Sequence, residues 1–287
     1  MKTKGKKIIE VSVQADLAFQ VRLYDFTQRR RVAVRQHLDA LKKGGRVDPF
    51  LEGVWSQFEA IEGGLGQKIT KAMVCHPVWR EWAYAVKGCG PLTLAKVMAG
   101  CFRHYPGLEQ LPEERRHPCN SRIAGGGRCG RIDPHFHDIG QFLTASQLRA
   151  HAGLAPGQRL REGVTISWSP RLKTACWLMG QQLRLAKGKP YDFYIQKKES
   201  LRAEWEEKYG PIGPKKKKDQ LGDLDLDRRA MTKMIQVFMV LLWVVWRRVE
   251  GYPVRPSYAA EHLGHTDILP EEWMEQGAKK PRKPRKS

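Results

Sequence analysis

Ten consecutive apolar residues, Val237–Trp246, sit inside a longer helical pattern, Arg228–Glu250, which Gly251 and Pro253 stop. Trp243 and Trp246 stand three apart, and the run is apolar around most of the helix circumference. Such a helix is expected at the centre of a core or in an oligomer interface. Ten residues make about 15 Å of helix, roughly half of what a bilayer requires, so no membrane span is expected. The start, MKTKGKKIIE, is basic but has no apolar stretch behind it, which predicts no export signal. The six cysteines (75, 89, 101, 119, 129 and 176) are then expected to be reduced, and too few for a disulfide scaffold. Packing or metal binding is left for them.

The rest of the chain is patterned for helices. From Ala15 to Leu41 apolar residues recur at helical spacing (Leu17, Val21, Tyr24, Val32, Leu38, Leu41) and stop at Gly44-Gly45. Pro49–Cys75 is a second helical stretch, expected to bend or split at Gly63, Gly64 and Gly66. The two would pair as a hairpin, with Arg29-Arg30-Arg31 either a solvated face or a phosphate contact. Pro77–Lys87 reads as a short helix and Leu92–Cys101 as another, while 103–139 reads as loop. Thr144–Ala152 and Pro170–Leu185 are helical, with a short strand conceivable at Val164–Trp168; Tyr191–Tyr209 is an exposed helix. The expected fold is mainly α.

Charge is unevenly placed. The net charge is +21, yet fourteen of the 51 Lys and Arg fall in Lys2–Lys7, Lys215–Lys218 and Lys279–Lys286, which hold no acid and read as unstructured. Without them 37 bases face 30 acids. Ala145–Pro190 alone holds eight bases against the single acid Glu162: Arg149, Arg159, Arg161, Arg171, Lys173, Arg184, Lys187 and Lys189. A basic field on a folded segment, with basic tails, points to a polyanion, most simply nucleic acid.

Between the two short helices lies Lys87-Gly88-Cys89-Gly90-Pro91-Leu92-Thr93. A helix, a tight Gly-x-Gly turn and a second helix make a helix-hairpin-helix module. Gly88 and Gly90 would permit positive φ and close backbone approach, and the N–H groups opening the second helix, near Leu92 and Thr93, would face a phosphate. Pro91 suits the first turn, where its missing N–H costs little. An ordinary helix-to-helix turn has the same residues.

Three segments follow in order: Gly88–Gly100 (GCGPLTLAKVMAG), Ile139–Pro156 (IGQFLTASQLRAHAGLAP) and Ile166–Gly180 (ISWSPRLKTACWLMG). This series resembles the C-terminal domain of the bridge-RNA-guided insertion-sequence transposases, whose pattern runs G-x-G-P-x-T-A, then F-x-x-x-x-Q-L-x-x-x-x-G-L-x-P, then I-S-x-x-G-N-x-x-L-R. The resemblance covers about Lys87–Tyr194, a little over a third of the chain. It implies DNA binding in transposition or recombination, with a guide RNA as a further partner. Two features of that family have no match. The residues before the hairpin read as helices rather than an acidic RuvC-like domain, and the family's Ser-Gly falls roughly at Arg161-Glu162-Gly163. Ser146, Ser167 and Ser169 lie nearby, but none is assigned as nucleophile. Arg159, Arg161, Arg171 and Lys173 are the expected phosphate contacts, which binding and catalysis would use alike.

The loop 103–139 holds Cys119, Cys129, His135 and His137, with Cys101 and His117 nearby. Zinc takes four Cys or His ligands and would order a loop poor in apolar residues. The spacing Cys-x9-Cys-x5-His-x-His lacks a tight Cys-x2-Cys knuckle, so the zinc signal is weak and free thiols with exposed histidines in an insertion are the favoured reading. Asp223, Asp225 and Asp227 are expected as helix-start acids rather than a metal site. Trp55, Trp79, Trp82, Trp168 and Trp177 could stack on bases, but tryptophan is usually core material and they are expected in the core.

The expected organisation is an N-terminal helical hairpin (1–76), a helix-hairpin-helix and transposase-like helical domain (77–210), a basic linker (211–227), a C-terminal helical segment (228–276) and a disordered basic tail (277–287). The expected function is DNA binding in transposition. A non-catalytic module for structured RNA or branched DNA is the alternative. A cytoplasmic, nucleoid-associated homo-oligomer fits either.

Overall fold

The computed structural model describes residues 4–105, 113, 117–119, 127–132, 135–158, 162–163, 166–212, 222–256, 260 and 267–279, with side chains from residue 16 onward except at 103–105 and 135–136. The chain divides into two compact units, Met1–Cys75 and His76–Ser287. Among the described residues are eight α-helices and one pair of three-residue strands, so the fold is mainly α.

The first unit is a helical hairpin of α1 (Lys4–Lys43) and α2 (Pro49–Cys75). The basic start, expected to be unstructured, is helical from Lys4. Leu17, Val21, Tyr24 and Leu38 of the expected α1 stripe are buried, whereas Val32 is exposed and Leu41 half-buried; in α2 the buried apolar residues are Ile69 and Met73. α2 runs unbroken through Gly63, Gly64 and Gly66, contrary to the expected bend. Glycine in a helix interior costs only about 1 kcal/mol, which packing along one face outweighs. Gly66 also lets α2 approach α1: a Cβ there would stand 3.3 Å from the Tyr24 ring. Across the hairpin Glu62 accepts from Tyr24 Oη at 3.1 Å, Gln28 Nε2 at 3.0 Å and Arg31 Nε at 2.5 Å. Burial pushes the Glu62 carboxyl up, but the Arg31 hydrogen bond and charge, with the Tyr24 and Gln28 bonds, leave it below its ordinary range. Arg31 is therefore a structural cation.

The second unit is built on α8 (Asp223–Val249), whose start lies five residues before the expected Arg228. Asp223 and Asp225 occupy its first turn, where the helix dipole favours acids, and Asp225 Oδ2 accepts from the Gly222 N–H at 3.3 Å. α3 (Pro77–Glu81), α5 (Ala145–His151), α6 (Pro170–Ala186) and α7 (Lys189–Tyr209) pack around α8. Phe238, Met239, Leu241, Leu242, Trp243 and Trp246 are all buried, so the apolar run is the core of this unit. By length and composition α8 could cross a bilayer, yet 61% of its most apolar window is buried inside the fold.

Several polar groups inside this core are matched, although Gln141 Oε1 and Arg149 Nε are buried without a hydrogen-bond partner among the described residues. Trp243 Nε1 and Arg247 Nη1 both donate to the Phe142 carbonyl, at 2.8 and 3.0 Å, and Arg247 Nε donates to the Pro253 carbonyl at 2.8 Å. Asp227 accepts from Arg184 and Lys198, at 2.8 and 2.7 Å, and from Tyr194, linking α6, α7 and α8. Close helix approach is provided by small residues. A Cβ at Gly180 would stand 2.5 Å from Ile235 Cδ1, and one at Gly100 would stand 3.0 Å from Leu172 Cδ1.

α4 (Pro91–Cys101) packs on α6 and is followed by β1 (Arg103–Tyr105), which pairs antiparallel with β2 (His135–His137) in the register Arg103↔His137. The stretch expected as open loop is thus closed at its base. A C-terminal strap, 267–279, returns to the start of the unit. Its 3₁₀ turn Pro270–Trp273 buries Trp273, the Pro270 carbonyl accepts from Trp82 Nε1 at 2.9 Å, and the Glu275 N–H donates to the Ala85 carbonyl at 2.9 Å.

Candidate nucleic-acid interface and metal-binding cluster

The glycine corner comes first. The expected helix 77–87 is α3, one 3₁₀ turn (Ala83–Ala85) and then the corner itself. Gly88 does take a positive φ, +90°, and Gly90 is the N-cap of α4 with φ −79°. What approaches Gly88 is protein. A Cβ there would stand 2.7 Å from the Ala186 Cβ and the Gln182 carbonyl oxygen, and 2.9 Å from the Leu183 Cα. Gly90 faces the Gln182 side chain, Leu92 is half-buried and Thr93 is buried. The backbone at residue 88 is thus tight because the C-terminal end of α6 fills the space that the sequence reading gave to a phosphate.

Arg171 and Lys173, two of the expected phosphate contacts, are at the other end of α6. Ser169 caps the helix, accepting from the Leu172 N–H at 3.2 Å, and Pro170 occupies its first position. Lys173 follows, exposed, with its ammonium 5.1 Å from the centre of the Trp168 ring. Arg171 is half-buried and has an interaction partner. Arg159 and Arg161 lie outside the described residues, as do Val164 and Thr165. Residues 166–168, the described part of the conceivable strand, are not in one.

Lys173 lines a cleft of about 590 Å³ between α6, α8 and the turn 153–158. The turn is the Gly-Leu-Ala-Pro motif, and it is stitched in place. Gly153, at φ +68°, has the Trp168 ring where a Cβ would be; the Leu154 carbonyl accepts from Gln236 Nε2 at 2.5 Å; the Ala155 N–H donates to Gln158 Oε1 at 3.0 Å. Trp177 and Thr174 stand on the α6 wall, and Arg229, Thr232 and Gln236 on the α8 wall. Among the described residues, none that lines the cleft carries a carboxylate. Arg229 is exposed and its guanidinium sits 5.3 Å from the Trp205 ring centre; Lys233, one turn on, is exposed too. Sequence reasoning missed the α8 half of this cleft. Its signal was the basic face Arg229–Lys233 on a helix read chiefly for its apolar run.

Two of the nearby serines have structural partners. Ser169 is the α6 cap, and Ser146 Oγ accepts from Arg149 Nη2 at 3.1 Å. Ser167 is exposed.

No family model, curated protein or solved structure matches this chain. The site is therefore read from its own chemistry.

The second constellation is in the stretch closed by β1 and β2. Cys119, Cys129 and His137 bring their ligand atoms within 4.8 Å of one another, a set that could hold a metal ion. Cys119 Sγ and His137 Nε2 are 3.2 Å apart. Backbone pairing brings the two cysteines together across ten residues of sequence: the Cys119 N–H donates to the Arg131 carbonyl at 2.8 Å, and the Gly130 N–H to the Cys119 carbonyl at 2.9 Å. Gly130, at φ +67°, turns the chain directly after Cys129. Three of the four expected ligands thus converge. The fourth, His135, is in β2, but its side chain lies outside the described residues. Cys101 is elsewhere, fully buried, its thiol donating to the Val97 carbonyl. Tetrahedral zinc with Zn–S near 2.3 Å and Zn–N near 2.0 Å sets its ligand atoms about 3.5–3.8 Å apart, which this donor set fits with small adjustment.

Proposed function

We propose that this chain is a DNA-binding protein related to insertion-sequence transposases, acting in transposition or recombination by holding a DNA backbone at the cleft between α6, α8 and the turn 153–158. The supporting observation is the joint presence of Lys173 and Arg229 in a cleft whose described lining residues include no carboxylate. Cations without a competing acid attract phosphate by releasing condensed counterions, and phosphate contacts position a protein on nucleic acid without reading its sequence. The Gly-Leu-Ala-Pro turn, part of the family resemblance, forms one wall of the same cleft, which ties that resemblance to the basic surface. A non-catalytic module for structured RNA or branched DNA is favoured by the serines: the family's Ser-Gly position carries Arg161-Glu162-Gly163, and Ser146 and Ser169 are engaged structurally.

The salt dependence of binding tests the reading. Fluorescence anisotropy with labelled DNA should give log affinity falling linearly with log salt, and Lys173→Gln should flatten the slope by about one. Affinity indifferent to salt would end the proposal. Strand exchange on plasmid DNA separates a recombinase from a binder, because a binder leaves topology unchanged.

The Cys119, Cys129 and His137 cluster is read as three ligands of a structural zinc site. Zinc would close the excursion between β1 and β2, whose sequence is poor in apolar residues. Elemental analysis of the purified protein should give one zinc per chain, and Cys119→Ser should abolish it. A metal-free protein of full stability would refute the assignment.

A further inference from the structure

We infer that the cleft between α6, α8 and the turn 153–158 takes an unpaired nucleotide, its base stacked on Trp177 and its phosphate shared by Lys173 and Arg229. The inference rests on the nucleic-acid reading above and adds which form of nucleic acid the cleft prefers. Trp82, Trp243, Trp246 and Trp273 are each 3% exposed or less, whereas Trp177 is 38% exposed and faces the cleft. A tryptophan left in water at a concave basic site is a surface for a flat apolar partner. Lys173 lies four residues before Trp177, one turn away on the same side of α6, and Arg229 faces them from α8.

Both cations are steadied by rings while their charge stays available. The Lys173 ammonium sits over Trp168 and the Arg229 guanidinium over Trp205. A guanidinium lying flat on an aromatic ring keeps its N–H edge for a phosphate. The volume, about 590 Å³, falls in the range of small-molecule sites. A regular duplex keeps its base faces stacked inside, so only an unpaired or extruded base can lie on Trp177. The turn that forms the third wall is fixed by Gln236 and Gln158, so the site is formed before the ligand arrives.

The test uses the full chain and three labelled DNAs of one sequence: a matched duplex, that duplex with an unpaired bulge, and the single strand. The wild type should bind the bulged and single-stranded probes more tightly than the duplex. Trp177→Leu, which keeps apolar volume without a π face, should weaken binding to both unpaired probes by about 5- to 150-fold and leave the duplex nearly unchanged. Trp177→Phe should restore most of the loss, which excludes misfolding as its cause. If Trp177→Leu weakens all three probes equally, or none, stacking is overturned. Lys173→Gln separates the levels, since it should weaken every probe. An intact Lys173 effect beside a silent Trp177 change leaves the nucleic-acid reading standing alone. Wild-type protein that binds no probe in a salt-dependent way overturns both.

Discussion

The two ends of α6 carry residues of the same types and put them to different uses. At the C-terminal end Arg184 is paired with Asp227, and the Gly88 corner presses on Gln182, Leu183 and Ala186. At the N-terminal end Lys173 has a ring beside it rather than an acid, and the nearby Gly157, at φ +77°, has nothing within 4 Å of where its Cβ would be. Lys173 and Leu183 are ten residues apart, about 15 Å along the helix. A basic residue or a glycine in the sequence therefore says little alone about ligands. What separates the ends is whether the partner that the residue permits is already supplied by the chain.

That contrast can be broken most severely at the packed end. Gly88→Ala forces a side chain into α6 at a φ that L-residues resist, and should cost about 2–5 kcal/mol in urea unfolding of the second unit. A neutral result would mean the corner can open. Next is Asp227. Burial pushes its carboxyl up, but hydrogen bonds from Lys198 and Tyr194 and the charges of Lys198 and Arg184 outweigh this and hold it below its ordinary range. A depressed folded pKa contributes stability above the unfolded value, near 4, and loses it as pH falls through the folded value. Asp227→Asn should cost about 1–3 kcal/mol at neutral pH and remove part of the acid-induced loss below about pH 4, seen as a flatter plot of urea midpoint against pH. The smallest change belongs to the open end. Gly157→Ala meets no neighbour and should cost only backbone strain, about 1 kcal/mol.

The helices nearest the site were readable because their ends are chemically marked. Thr144 caps α5, Ser169 and Pro170 open α6, and Gly210 closes α7; each falls within about two residues of the sequence expectation. α8 was placed late because Asp223–Asp227 alternate acids with leucines, which hides the first turn behind an extended-looking pattern. β1 and β2 were invisible because three residues give no periodicity and the partner lies about thirty residues away. The cysteines of the candidate metal cluster were named from residue type and spacing; the backbone pairing of Cys119 with Gly130 and Arg131 that joins them has no local signature. The cleft could not be read, since its walls come from three separate segments. Trp177 was expected in the core because it lies among core positions, and its neighbours Cys176 and Met179 are indeed buried.

The strap that returns to Ala85 and Trp82 has a consequence for biosynthesis. Its contacts span 188 residues, from Trp82 to Pro270. Until Glu275 has left the ribosome, the indole of Trp82 and the carbonyl of Ala85 lack their final partners, so the second unit can settle only after residue 275 has emerged. The helical hairpin, whose contacts lie within the first 75 residues, is free to form while synthesis continues.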